Sequence, residues 1–291
     1  MMSGYINKIK ANVSIYATHK TSSVLDGSYL SVYMGRSLNF EDLREYVPGD
    51  NIKDIDWKAS SRSGNLLIKR YVAEKKHNIM LVMDTGTKME GDTLKGASKR
   101  ETALMTAGTL SYLAYKNGDN VGALYDCDGM MKYHPFKSGL VNVENILAAY
   151  NADTMKTKKG NVERTLEYII NHFKRKMIII VISDLKGIAT ISETTLKRLR
   201  IMHDVMCVEI SDADVTGGKT FDLDTGLYMP LFITKNKKLE KMEREEKEAL
   251  RRENERKLVH GGVMSVGIDD MEDTAGKIIE LLEKHRYANN R

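Results

Sequence analysis

Two strand-like apolar runs in this sequence end in aspartate. Residues 78–83 (NIMLVM) lead into Asp84, and residues 177–182 (MIIIVI) lead into Ser183-Asp184. In an open α/β sheet, ligands bind in the crevice outside the carboxyl ends of the strands. If the two strands are neighbours, Asp84 and Asp184 converge there, and their paired oxygens suit a hard divalent cation such as Mg2+. Each aspartate could equally cap the turn or helix that follows it, and spacing alone does not choose between these roles. The loop after Asp84 carries no G-x-G-x-x-G, so a dinucleotide fingerprint is absent. Gly86 and Gly91 have the spacing of a phosphate-binding loop and Thr93 falls in the right place, but Asp92 stands where that loop needs lysine. A carboxylate there repels a triphosphate, which argues against nucleoside triphosphate binding.

Other chemistries find little support. The seven histidines form no H-x-x-x-H pair, and Ser183-Asp184 lacks the G-x-S-x-G elbow of a serine hydrolase. Cys127 and Cys207 lie 80 positions apart, against a disulfide framework or a zinc knuckle. Cys207 reads as a core residue, and Cys127, between Asp126 and Asp128, would have its thiolate disfavoured. With no nucleophile–base pair, the expectation is a protein that is not an enzyme. The 45 basic and 40 acidic residues interleave, leaving a net charge of +5, whereas nucleic-acid binders cluster their excess. No nucleic-acid partner is expected. The longest apolar run, Met177 to Ile182, falls far short of the roughly 18–20 residues of a membrane span. Met1-Met2-Ser3-Gly4-Tyr5 does not open a secretory signal. A cytoplasmic chain without membrane insertion is expected.

The elements that would position the two aspartates alternate along the chain. Strands are predicted over 78–83, 121–125, 132–136, 177–182 and 205–210, with a turn at Asp128-Gly129. Helices are predicted over 96–117, 143–150, 162–173 and 192–203, the first carrying Ala103, Ala107, Leu110 and Ala114 on one face. This alternation implies parallel pairing with helices on both faces, a doubly wound α/β sheet. An edge strand over 263–268 and a closing helix over 275–285 complete it. Residues 237–257 are almost all charged, with Glu240/Arg244, Glu243/Lys247 and Glu248/Arg252 as supporting i,i+4 pairs, and read as a surface helix within about 235–258. Residues 1–75 make a poor independent core and are expected to pack as an arm on the main domain, 76–291.

Several dispersed motifs together resemble a known family. Asp84-x-Gly86-x-Lys88-Met89 resembles the D-x-S-x-S-M opening of von Willebrand factor A (vWA) domains, and Ser183-Asp184 the second acidic element of their metal-ion-dependent adhesion site. Upstream, Arg44-Glu45-Tyr46-Val47-Pro48-Gly49-Asp50, then Asp56-Trp57, Arg62, Arg70 and Glu74, resemble the signature of the bacterial DUF58 family, in which such a segment precedes a vWA-like domain. The likeness is strong over about 35–212 and weaker through 221–226. It implies a vWA-like fold and an adaptor role beside a MoxR-type AAA+ ATPase. Against that pattern, Gly86 and Lys88 replace two serine hydroxyls, and Asn161 stands where a threonine is expected. The Lys88 ammonium is close enough in sequence to pair with Asp84 or Asp184, and Mg2+ binding at these two residues is expected to be weak or lost.

The expected function is thus a non-enzymatic adaptor whose contact surface is built on Asp84, Gly86, Lys88, Asn161 and Asp184. The alternatives are a metal-dependent hydrolase using Asp84 and Asp184, and a structural module with a vestigial site. Arg44, Arg62 and Arg70 alternate with Asp50, Asp56 and Glu74 around Trp57, the one tryptophan. Balanced charges favour an ion-paired latch onto the main sheet over a docking surface.

Overall fold

A computed structural model describes residues 7–9, 11, 42–50, 52, 55–70, 76–214, 221–222, 227–228 and 236–289. The chain runs β1 (Asp42–Glu45), α1 (Trp57–Ser63), β2 (Leu67–Arg70), β3 (Asn78–Met83), α2 (Lys99–Lys116), β4 (Asn120–Cys127) and β5 (Met130–Lys137). It continues through α3 (Leu140–Thr154), α4 (Val162–His172), β6 (Ile178–Asp184), α5 (Leu185–Ala189), α6 (Glu193–Met202) and β7 (Asp204–Ile210). After the two-residue strands β8 (Phe221–Asp222) and β9 (Leu227–Tyr228) come α7 (Lys237–His260), β10 (Met264–Ile268) and α8 (Thr274–Asn289).

Six strands form the main sheet in the order β10-β7-β6-β3-β4-β5. All neighbours are parallel except β5, which returns antiparallel to β4 through a turn with positive φ at Asp128 (49°) and Gly129 (98°). Chain order reverses between β3 and β6, the first and fourth strands of this sheet, which makes their carboxyl ends the topological switch point. This is the doubly wound, mostly parallel α/β fold that the alternating pattern predicts.

The central strands are apolar along their whole length because both of their faces are covered. Side chains alternate between faces. Ile79, Leu81 and Met83 of β3 join Ile178, Ile180 and Ile182 of β6 in a core closed by α2, α3 and α8. Met80, Val82, Ile179 and Val181 point the other way, into a core closed by α4, α6 and Leu258 of α7. Side-chain oxygens of Ser98, Asn161, Ser192 and Asn236 cap the starts of α2, α4, α6 and α7. Of the three pairs expected on α7, Glu243–Lys247 (2.9 Å) and Glu248–Arg252 (3.4 Å) form. Arg244 reaches forward to Glu248 at 3.5 Å rather than back to Glu240.

In the N-terminal part, the charged pairing seen among the described residues is local. β1 and β2 pair antiparallel, and Asp56 caps α1 by accepting from the Lys58 and Ala59 amides. Arg44 pairs with Asp50 at 2.6 Å, within one turn, because Gly49 (φ 110°) folds the chain back on itself. Trp57 is 64% exposed and makes no buried plate. Tyr46 donates its amide to Leu66 O (2.8 Å), and Arg62 is exposed. The Arg70 side chain and Glu74 lie outside the described residues, as does the stretch between 223 and 226. Further upstream, Ile9 is buried in the α2–α3 core, in the space left by the missing side chain of Gly108. Among the described residues no helix is long and apolar enough to cross a membrane.

Ile180 is 1% exposed on the central strand β6. Replacing it with alanine leaves a cavity that the sheet cannot close, and Ile180→Ala is expected to cost about 2–5 kcal/mol of unfolding free energy, measured by urea denaturation.

Candidate functional site

The pairing of β3 with β6 settles the geometry of the rim. Met83 stands opposite Ile182, and the Asp84 amide donates to Ile182 O at 2.9 Å, so Asp84 lies beside Ser183 where β3 ends and β6 is in its last two residues. Both aspartates are 1% exposed. The Ser183 hydroxyl donates to Asp84 Oδ2, and the Lys88 ammonium lies 2.7 Å from that oxygen and 4.0 Å from Asp184 Oδ1. Asp84 Oδ1 accepts the Thr85 amide at 2.9 Å. Of the two roles that spacing leaves open for Asp184, the structure shows the cap. Its Oδ1 caps α5 by accepting the Gly187 amide at 2.7 Å, while its Oδ2 faces the crevice and takes a 2.8 Å bond from Lys99.

Lys88 reaches this position from a single turn of 3-10 helix, Thr87–Glu90. Met89, fully buried in the core below, anchors that turn. Gly86 precedes it with φ 92°, and a Cβ there would sit 2.9 Å from both Gly160 N and Lys158 O. Gly86 bridges to Lys159, so the Asp84 loop and the loop before α4 touch backbone to backbone. Residue 187 must also be small, because a Cβ on Gly187 would run into Ser183 Oγ and Asp84 Oδ2. Asp84, Gly86, Lys88 and Asp184 are therefore brought together. Asn161 sits beside Gly160, but its Oδ1 is engaged at the start of α4, accepting the Arg164 amide at 2.9 Å.

Sequence reasoning missed two members of the cluster, Lys99 and Asp212. Lys99, at the start of α2, is 3% exposed and bonds both Asp184 and Asp212. The available signals were a lysine in the first turn of a helix, where the macrodipole disfavours a cation, and Ser211-Asp212 repeating the Ser183-Asp184 strand ending. The rim thus holds three carboxylates and two ammonium groups. Lys88, with its side chain 29% exposed, is the lysine of the pair that solvent reaches. Tyr150, whose hydroxyl donates to Asp84 O at 2.6 Å, closes the cluster from below.

Burial is the largest influence on Asp84 and pushes its carboxyl above the usual range, aided by the Asp184 charge and opposed by Lys88 and Ser183. For Lys99 burial is again the largest influence and works downward, but Asp184 and Asp212 together outweigh it and hold the ammonium above its ordinary 10.5. Burial raises both free thiols, Cys127 and Cys207, which agrees with their reading as unreactive. Among the described residues no group of three or more His, Cys, Asp or Glu is placed to hold a metal ion.

Removing the Lys99 charge leaves buried carboxylates uncompensated, so Lys99→Met should lower the unfolding free energy by about 3–5 kcal/mol at neutral pH. The alkaline limb carries the sign. A raised folded-state pKa stabilises fully below 10.5 and loses that contribution as pH climbs through the higher folded value. Denaturation curves from pH 8 upward should fall less steeply for Lys99→Met than for the unmodified chain; parallel curves would show that Lys99 does not hold the rim.

Uncharacterised proteins of Mycobacterium bovis and Mycobacterium tuberculosis are 23% identical to this chain over 195 residues, covering 66% of it and 61% of their own length. The chain therefore spans about three fifths of these curated relatives. Among solved structures it is similar to the PilB minor pilin from Streptococcus sanguinis (TM-score 0.45, 9% identity, covering 76% of this chain and 64% of that one). It is also similar to a von Willebrand factor type A protein from Catenulispora acidiphila (TM-score 0.36, 9% identity, covering 74% and 43%). Residues 42–216, more than half of the sequence and including the whole aspartate–lysine cluster, match DUF58, described as a protein family of unknown function, and the chain belongs to that family.

Proposed function

We propose that this protein is a non-enzymatic interaction module, an adaptor that offers the carboxyl rim of its sheet to a protein partner. The partner implied by the family resemblance is a MoxR-type AAA+ ATPase, which would place the chain in the cytoplasm. One observation carries the reading: the Lys88 ammonium sits between the two rim aspartates, 2.7 Å from one and 4.0 Å from the other, with part of its surface open to solvent.

The donor set does not suit a divalent cation. Asp84 Oδ2 already serves Ser183 and Lys88, Asp184 Oδ2 serves Lys99, and Asp184 Oδ1 serves the α5 amide. Mg2+ needs near-octahedral oxygen geometry, while Gly86 supplies no hydroxyl and Lys88 supplies a positive charge. A divalent ion would have to displace one ammonium group while remaining close to the other. Lys88 is instead available to an acidic side chain of the partner, and a contact of this kind weakens with salt rather than with chelator.

The test is capture of the ATPase by the full chain. Capture should survive EDTA, fall as salt rises, and be lost with Lys88→Glu, while calorimetric titration with Mg2+ gives no micromolar binding. Capture that requires added Mg2+, or micromolar Mg2+ binding abolished by Asp84→Ala, would overturn the reading. If Lys88→Glu lowers only thermal stability and leaves capture intact, the rim is structural.

A further inference from the structure

Toward the opposite ends of the strands from the rim lies a surface that the adaptor reading does not use. There the edge strand β5 meets the last turn of α4 through aromatic rings. Phe173, just past α4, packs edge-on against Tyr133 and Phe136 of β5, with ring centroids 5.4 and 6.3 Å apart. Phe136 and Phe173 have a packing reason. They cover the second core where Gly122 leaves room, a Cβ there falling 3.0 Å from the Phe136 ring. Packing does not account for His172, which is exposed, and Tyr133 keeps 43% of its surface in solvent. The His172 imidazole stacks on Tyr168, with centroids 3.9 Å apart and planes 16° from parallel. Its Nδ1 donates to Tyr168 O at 2.8 Å. Two contacts thus hold an exposed planar ring in one orientation.

Cations surround these rings. His172 opens the run His172-Phe173-Lys174-Arg175-Lys176, whose lysines and arginine are all exposed, and the exposed Lys137 follows Phe136 at the end of β5. Little opposes them. Lys176 lies 3.3 Å from Asp204, but Arg200 already holds that carboxylate at 3.1 Å. Lys174 donates to a carbonyl, Ile170 O at 3.1 Å, which leaves its charge uncompensated. Among the described residues Arg175 and Lys137 make no ion pair. Across β5 and residues 164–177, Glu167 is the one acid. Charge interleaves along the chain as a whole, and the fold gathers this local excess by bringing the end of β5 to the end of α4.

We propose that this surface binds single-stranded nucleic acid, its bases stacking on His172 and Tyr133 and its phosphates held by Lys174, Arg175 and Lys137. An acidic peptide would satisfy the cations and leave the fixed ring unused, whereas every base has a π-face and every nucleotide brings a phosphate. Stacking and backbone charge are common to RNA and DNA, so both should bind. The proposal does not depend on the reading of the rim.

Fluorescence anisotropy of the full chain tests it, with labelled single-stranded ribo- and deoxyribo-oligomers of about 12 nucleotides. Both should bind with micromolar Kd at about 50 mM salt. His172→Ala alters only an exposed ring and should weaken binding roughly fivefold or more, the stacking of one base. Tyr133→Ala should act in the same direction, and His172→Ala keeps the test valid if Tyr133→Ala loosens Phe173. Lys174→Gln together with Arg175→Gln should reduce the slope of log affinity against log salt by about 1.4, two phosphates' worth. Lys88→Glu, at the rim, should bind the oligomers as the unmodified chain does. Absence of binding, undiminished binding in His172→Ala, or loss of binding in Lys88→Glu would overturn the proposal. So would displacement by polyglutamate as readily as by unlabelled oligomer at equal charge, which would make an acidic peptide the occupant.

Discussion

Two carboxylates held at one buried rim repel each other, and the local structure follows from how that repulsion is met. At an effective dielectric of about 20, like charges 4 Å apart oppose each other by about 4 kcal/mol. β3 and β6 run parallel and in register, so Asp84 and Asp184 cannot separate without breaking the centre of the sheet. The chain answers with two lysines from different elements. Lys88, on a short turn pinned by Met89, takes the Asp84 side, and Lys99, at the head of α2, takes the Asp184 side and ties in Asp212 from the next strand. The tight packing follows from the same demand. Gly86 lets its loop lie against the backbone of residues 158–160, and Gly187 lets α5 lie against the Ser183 and Asp84 side chains.

The two lysines do different work because their exposures differ. Lys99 is sealed and joins β6, β7 and α2 into one unit, a structural role that any partner would find already complete. Lys88 keeps a solvent-facing side, 29% of its side chain, while it compensates the buried Asp84. This asymmetry separates the sealed part of the cluster from the part that solvent reaches.

The doubly wound sheet was legible from the sequence because its central strands are buried on both faces and so appear as unbroken apolar runs. The pairing of Lys88 was legible too, since lysine follows Asp84 by four residues and the turn is local. Lys99 and Asp212 were not, because they reach Asp184 from 85 and 28 positions away, and only the fold brings them together. The Arg44–Asp50 pairing is local for the opposite reason. A tight turn gave the arginine a carboxylate six residues away, so the pair closed locally and Trp57 stayed in solvent. The cap role of Asp184 was one of two readings left open, because α5 has five residues, too few for a periodic pattern to decide between them.

That short helix also explains why α7 is not simply a solvated rod. A five-residue helix has almost no stability of its own, since nucleation is its dominant cost, yet its first turn must hold Asp184 in place. α7 supplies what is missing. Asn254 donates to Leu185 O at one end of α5, and Lys257 donates to Ile188 O and Ala189 O, at 2.9 and 3.0 Å, at the other. The ammonium lies at the helix end where unpaired carbonyls gather and a cation is favoured. Burial of the C-terminal turns of α7 through Asn254 and Leu258 is therefore what keeps α5 folded, and through α5 what keeps the Asp184 carboxylate aimed at the crevice. The charged face of α7 remains in water while its last turns support the rim from behind, so the two ends of one helix serve different purposes.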